Sequence, residues 1–180
     1  MEFIFVSGNL GLDLAGTVGH RRGGPIDLLA TPPDLGRWTV AARLLDSPPP
    51  VEEADLAGAV ALREAIYRLA HAARDGGPYA EADLALLNEA AGAVPCGVRL
   101  ERDGVRRSGD LAGALAVTAR SAIELLGGPD AARIRECEAA PCTRLFVDES
   151  RSRARRWCDM RGCGNRAKAA QYRARHAPAD

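Results

Sequence analysis

The stretch CEAAPCTRLFVDESRSRARRWCDMRGC, residues 137–163, decides how the C-terminal part of this chain folds. It contains two Cys-x4-Cys pairs that are separated by fifteen residues. Structural zinc is held tetrahedrally by two such close pairs, while the intervening chain turns and returns. The pattern predicts one structural Zn2+, because four thiolates leave no open coordination position for catalysis. The predicted ligands are Cys137, Cys142, Cys158 and Cys163.

The residues between and after the cysteine pairs predict a small module around this metal. Residues 143–148 have the pattern of a strand, 149–153 that of a turn, and 154–157 that of a returning strand. Residues 165–175 are good helix formers and end in basic side chains, which favours a helix. Each Cys-x4-Cys pair forms a turn, or knuckle, that presents two thiolates. The order of knuckle, hairpin, second knuckle and helix predicts a treble-clef-like or ribbon-like zinc module. Its expected aromatic core consists of Phe146, Trp157 and Tyr172.

The net charge of zero conceals two parts of opposite charge. The chain has 24 basic and 24 acidic residues. Residues 133–176 contain twelve basic and five acidic residues, a net charge of +7, whereas residues 1–132 have a net charge of −6. Zinc bound by four thiolates lowers the charge of the module by two, to +5. All basic residues except Lys168 are arginine, so the local excess of base, and not the arginine content, indicates a polyanionic partner.

The basic residues of the module are candidates for phosphate contacts, since each neutralised phosphate releases counterions. An acidic protein surface, the chain's own acidic N-terminal part and plain solvation are the alternatives. Arg155 and Arg156 point to opposite faces if they lie on a strand, so that one of them can instead pair with Asp148 or Glu149. The nucleic-acid candidates are Arg144, Arg151, Arg153, Arg155, Arg156, Arg166, Lys168 and Arg173.

Residues 1–132 have the pattern of an α+β domain that is mainly helical, and residues 177–180 form a short tail after the module. A strand is predicted at 2–6 and a hairpin at 97–107, where Asp-Gly separates two alternating segments. Helices are predicted to start at about residues 10, 32, 52, 80 and 111, with Thr31 and Asp110 as N-caps.

The N-terminal domain carries no catalytic signature, such as a phosphate-binding loop or a nucleophile elbow, and we expect no enzyme. Trp38 is expected in the core, His71 on the solvated side of its helix, and Cys96 as a free thiol. Asp13 is a charge in an apolar stretch. It can cap a helix, pair with an arginine or face a ligand cavity.

The sequence gives no sign of a membrane protein. No apolar run approaches 18 residues without a charge, and the N-terminal apolar run is short and lacks a basic flank. We therefore expect a cytoplasmic protein, in which thiols stay reduced.

The segments Arg155-Arg156-Trp157-Cys158 and Cys163-Gly164-Asn165-Arg166, followed by Tyr172-Arg173, resemble the CGNR zinc finger. Upstream, Leu12-Asp13-Leu14 and Leu62-Arg63-Glu64-Ala65 are similar to the ABATE domain that usually precedes this finger. The resemblance covers essentially the whole chain. It implies a bacterial, stress-associated transcription regulator whose finger binds DNA and is held by the four cysteines. One departure is Ala15-Gly16-Thr17, where the family often has an asparagine after the Leu-Asp pair.

Our hypothesis from the sequence is a regulator with an N-terminal sensing or assembly domain and a DNA-binding zinc module. A single finger offers a small footprint, so a homodimer would help affinity. The alternatives are a protein–protein interaction module, and a small-molecule-binding N-terminal domain with a purely structural finger. RNA remains a possible nucleic acid, and the sequence names no effector.

Overall fold

The computed structural model describes residues 2–176, and the tail expected at 177–180 lies outside the described residues. The fold is α+β and mainly helical, with three short antiparallel strand pairs. The α-helices are α1 (Leu10–Ala15), α2 (Pro32–Ala41), α3 (Glu53–Asp75), α4 (Glu81–Ala91), α5 (Leu111–Gly127) and α6 (Asn165–Arg175). The strands are β1 (Val18–Gly19), β2 (Ile26–Asp27), β3 (Gly97–Glu101), β4 (Gly104–Ser108), β5 (Ile134–Glu136) and β6 (Leu145–Val147).

Helix boundaries follow local capping chemistry. The main-chain N–H of Thr31 donates to Asp34 Oδ2 at 2.8 Å at the start of α2, and two prolines occupy its first turn. Asp110 Oδ1 accepts from the N–H of Gly113 at 2.8 Å at the start of α5. Helix α3 ends at Gly76, which has the left-handed φ of 69° that favours glycine. The predicted N-caps Thr31 and Asp110 are thereby confirmed.

The main core is a helical layer in which α3 and α5 enclose the short helix α1. Leu12 and Leu14 of α1 are buried, and so is Trp38 of α2, as expected. The contact between α1 and α5 is so close that a Cβ on Gly11 would lie 2.6 Å from the Cβ of Ala122. Glycine is therefore required here by close helix packing.

Strand β6 joins this core to the zinc module. Because side chains alternate along a strand, Leu145 and Val147 pack into the main helical core, while Phe146 between them packs against the cysteines. Ile134 of β5 also belongs to the main core. The zinc module is thus joined to the helical part through a shared hairpin.

Several details differ from the sequence-based predictions. Residues 2–6 form no strand, because their carbonyls accept from arginine side chains and not from a neighbouring strand. Residues 154–157 form no returning strand either, since β6 pairs with β5, which precedes the first knuckle. Tyr172, expected in the core, is 65% exposed, and the ring of His71, expected in solvent, is half-buried against Tyr67. In the described part of the chain, the helices are all too short or too polar to cross a membrane.

Candidate metal centre and basic surface

The four predicted ligands come together in one cluster. Their Sγ atoms all lie within 4.8 Å of one another. The Sγ of Cys158 is 3.8 Å from that of Cys142 and 3.5 Å from that of Cys163. A tetrahedral zinc site with Zn–S bonds of about 2.3 Å has sulfur separations of about 3.8 Å, whereas a disulfide is about 2.05 Å long. The donor set and its spacing suit one structural zinc ion.

Local backbone structure presents each pair of thiols. Cys137 follows the last residue of β5, and the N–H of Cys142 closes the first knuckle by donating to the carbonyl of Ala139 at 2.8 Å. In the second knuckle, Asp159 Oδ2 accepts from the N–H of Gly162 at 2.7 Å. A π-helical turn, Met160–Gly164, then runs directly into α6. One pair beside a hairpin and one pair at a helix start make a treble-clef-like arrangement.

Two donors stabilise thiolates in the cluster, whereas burial and the crowding of the sulfurs disfavour them unless a cation is bound. The N–H of Cys158 donates to Cys137 Sγ at 3.4 Å, and Arg166 Nη2 donates to Cys163 Sγ at 3.2 Å. Burial and the neighbouring charge of Cys142 raise the pKa of Cys163 to about 11. Four thiolates in this volume repel one another unless a divalent cation is bound, so the cluster is a metal site and not a set of reactive thiols.

Comparison with known families agrees with this geometry. The model of the ABATE family, described as "Putative stress-induced transcription regulator", matches residues 8–129. The chain belongs to the ABATE family. The model of the CGNR zinc finger matches residues 133–176, which contain the four clustered cysteines. No curated protein sequence matches the chain significantly.

Two of the predicted nucleic-acid residues of this ABATE protein are turned inward. Arg155 donates to the carbonyls of Val6 and Trp157, each at 3.0 Å, and its guanidinium lies 4.4 Å from the ring centroid of Phe146. Arg144 Nη1 donates to the carbonyl of Ile4 at 3.1 Å. Both side chains join the zinc module to the N-terminal segment, and we leave them out of the nucleic-acid surface proposed below.

The remaining predicted cations lie on the surface. Arg156 is exposed, and its Nε donates to Glu138 at 2.6 Å. Arg166 is exposed as well, although one of its nitrogens contacts Cys163. The other predicted residues, all exposed and outside the ion pairs of the described residues, are Arg151, Arg153, Lys168 and Arg173.

Two acidic side chains of the module, Glu136 and Asp148, are already occupied. Glu136 forms ion pairs of 2.5 Å with both Arg22 and Arg74 of the helical part. Asp148 is 1% exposed. Its oxygens accept from the N–H groups of Ser150 at 2.9 Å and Arg155 at 3.0 Å. These hydrogen bonds order the loop that begins at Glu149, where the sequence predicted a turn and a returning strand. Of the cations of the module, Arg133 and Arg156 pair with Asp130 and Glu138, whereas those of α6 have no ion pair among the described residues.

Sequence reasoning raised a structural pairing of Arg155 or Arg156 with Asp148 or Glu149. It did not predict that Asp148 accepts from main-chain N–H groups or that the Arg155 guanidinium donates to main-chain carbonyls. Nothing in the composition of 151–156 distinguishes Arg155 from its arginine neighbours. The signal for Asp148 was an acid placed directly after the apolar strand Leu145–Val147, where a side chain can accept from the turning backbone.

Asp13 faces a cavity of about 560 Å³ in the ABATE part. Asp13 is 8% exposed, and its Oδ1 accepts from the N–H of Ser7 at 3.0 Å. Burial raises the pKa of this carboxyl above its ordinary value. Arg43, a non-glycine residue with a φ of 57°, lines the same cavity together with Asn9. Asn9, and not Asp13, caps α1, and none of the ion pairs of residues 2–176 includes Asp13, so its position on the cavity wall is what the structure leaves of the three expected roles.

Proposed function

We propose that this ABATE protein is a cytoplasmic transcription regulator whose zinc module binds DNA through α6 and the loop before it. The observation that carries the proposal is α6 itself. This helix of 11 residues has no acidic residue and no buried residue. A helix that is polar all round obtains little stability from packing and is typical of a surface that meets a partner.

The cations of α6 lie in two rows. At 100° per residue, Arg166 and Arg173 fall on one side of the helix, and Lys168 and Arg175 on the other. Ala167, between the rows, packs against the zinc cluster. The opposite face is exposed and consists of Asn165, Ala169 and Tyr172.

Two rows of cations around a face of small and polar residues suit a helix that lies in the DNA major groove. The groove is about 12 Å wide and is bordered by phosphates on both sides. The two rows would contact phosphates and set the register, while Asn165 would be the side chain closest to base edges. Arg151, Arg153 and Arg161 are exposed on the same module and extend the basic surface.

A fluorescence anisotropy titration tests the proposal. The zinc-loaded protein is added to labelled random duplexes at several salt concentrations. If five exposed cations contact phosphates, the slope of log Kobs against log salt is about −4.5, since each phosphate contributes about 0.9. Absence of binding at low salt, or binding without a salt slope, would overturn it. Preferential binding of a matched RNA duplex or of an acidic protein in nuclease-treated samples would do the same.

Two variants sharpen the test. Arg173→Ala removes a cation of α6 whose side chain has no ion pair among residues 2–176, and reduces the salt slope by about one. Arg37→Ala is the matched control, because Arg37 is exposed on α2 and pairs only with Asp34 one helical turn away. It leaves both affinity and slope unchanged.

A second candidate function rests on the cavity around Asp13. A largely buried acidic side chain, with the cation Arg43 on the same wall, suits a small zwitterion such as an amino acid, whose ammonium group would meet Asp13 and whose carboxylate would meet Arg43. Thermal denaturation in the presence of a panel of amines and amino acids tests it. A ligand of this cavity raises Tm in the parent protein and not in the Asp13→Asn variant.

A further inference from the structure

The hairpin β3–β4 presents apolar side chains to solvent. Val98 is 71% exposed, Leu100 83% and Val105 46%. In the pairing of the two strands, Leu100 lies opposite Val105, and Val98 lies two residues away on the same face. The hairpin is therefore an apolar surface on a part of the molecule that neither the core nor the zinc module uses.

The two edges of this hairpin differ. The outer edge of β4 is already hydrogen-bonded at Arg107, whose main-chain groups point away from β3. The N–H of Arg107 donates to Asp46 Oδ2 at 2.9 Å, and its carbonyl accepts from the N–H of Asp46 at 3.4 Å. Arg107 lies opposite Val98. Because hydrogen-bonded and open pairs alternate along an antiparallel ladder, the main-chain groups of Val98 and Leu100 point away from β4. Within residues 2–176, β3 pairs with β4 alone, so its outer edge offers free donors and acceptors.

One charged side chain of β3, that of Arg99, has no ion-pair partner within the described part of a single chain. Arg99 lies directly opposite Arg106, a like-charge pair that destabilises a hairpin. Glu101 contacts Arg106 at 3.3 Å, but in the described part of the chain Arg99 has no carboxylate within ion-pair distance. An acid placed beside Arg99 from outside would relieve this repulsion.

We propose that β3 pairs in antiparallel fashion with β3 of a second copy of this chain, across a twofold axis at Leu100. This register joins the free main-chain groups of Leu100 to those of its counterpart, and places Arg99 opposite Glu101 of the partner subunit. The same ion pair recurs across the axis, because a twofold interface is self-complementary.

Other registers of the same edge fit less well. A twofold axis at Arg99 places two arginines opposite each other, and an axis at Val98 leaves Glu101 beyond the paired segment. The axis at Leu100 also brings both Leu100 side chains together on the apolar face. The resulting four-stranded sheet covers the Leu100 end of an exposed edge strand, which otherwise invites unspecific pairing. The surface is small, so a weak dimer with a dissociation constant in the micromolar range is expected.

Sedimentation velocity on the full zinc-loaded chain, in the absence of nucleic acid, tests this interface. The parent protein shows a concentration-dependent monomer–dimer equilibrium. Arg99→Glu and Glu101→Arg each place like charges opposite each other twice, and each raises the dissociation constant at least about tenfold. A 1:1 mixture of the two variants restores a dimer, because both contacts are then between opposite charges.

The mixture keeps the test independent of folding, since a misfolded variant cannot regain the interface by mixing. Arg37→Glu, which makes the same charge change on α2, dimerises like the parent. The proposal is overturned if the parent is monomeric at all concentrations, if either single variant dimerises like the parent, or if the mixture stays monomeric. None of these results bears on DNA binding, which is measured separately.

Discussion

Replacing Arg155 by alanine should weaken the attachment of the zinc module to the helical part. The guanidinium donates to the carbonyls of Val6 and Trp157 at 3.0 Å and of Val147 at 3.4 Å, and also to that of Cys158. It therefore ties the N-terminal segment, strand β6 and the second knuckle to one another. Alanine leaves these carbonyls without their donor and removes the cation from the ring of Phe146.

The size of the effect follows from the partial burial of this group. A hydrogen bond to a charged group contributes about 1.5–3 kcal/mol, and contributions from one side chain do not add up. Water can reach some of the released carbonyls, because Arg155 is only half-buried. We therefore expect Arg155→Ala to lower the free energy of unfolding by about 3 kcal/mol.

Urea denaturation of the zinc-loaded protein measures this change. The two tryptophans report on the two parts, since Trp38 is fully buried in the helical core and Trp157 packs against the zinc cluster. Arg156→Ala is the neighbouring control. Its ion pair with Glu138 is exposed on both sides, and exposed pairs contribute about 0–1 kcal/mol. Equal effects of the two variants, or an Arg155→Ala effect within that range, would refute the reasoning.

Two further predictions concern the metal and the buried carboxylate. Displacing the metal by thiol modification should release one zinc per chain for four thiols, with Cys96 reacting separately; any other stoichiometry contradicts the proposed ligand set. Burial raises the pKa of Asp13 above its ordinary value of 3.8, so the native state holds this proton more tightly than the unfolded chain does. The contribution of Asp13 to stability is thus present below that ordinary pKa and is lost as pH rises through the raised one. In urea titrations at several pH values, Asp13→Asn should gain stability over the parent as pH rises above 3.8, and a difference that is constant with pH would contradict this.

Chemistry that depends on residue type could be predicted from the sequence. Cysteine spacing predicts the metal cluster because few other residue types substitute for a thiolate ligand. Helix starts could be predicted because a cap such as Asp110 acts within three residues of its partner Gly113. The four-cysteine cluster and the mainly helical α+β fold are confirmed on these grounds.

Features that depend on long-range pairing could not be predicted. Strand β5 has three residues, and its connection to β6 is the first knuckle itself, so that no ordinary turn signal marks the hairpin. Tyr172 was expected in the core because it is aromatic. Helix α6 instead contacts the cluster through Ala167, whose small side chain allows close approach. Arg155 and Arg156 are chemically identical, and only the tertiary structure distinguishes the half-buried Arg155 from the exposed Arg156.

The opposite charges of the two parts raise the question whether the acidic part covers the basic one. Three ion pairs of the described residues join them: Arg22 and Arg74 of the helical part pair with Glu136 of the zinc module, and Arg133 of the module pairs with Asp130 of the helical part. Within residues 2–176, none of the observed ion pairs links α6 to a carboxylate of residues 1–132. The interface therefore uses one acid and one base of the module, Glu136 and Arg133, and leaves the cations of α6 exposed. Because these cations are already accessible to a polyanion, the DNA proposal does not require the two parts to separate first.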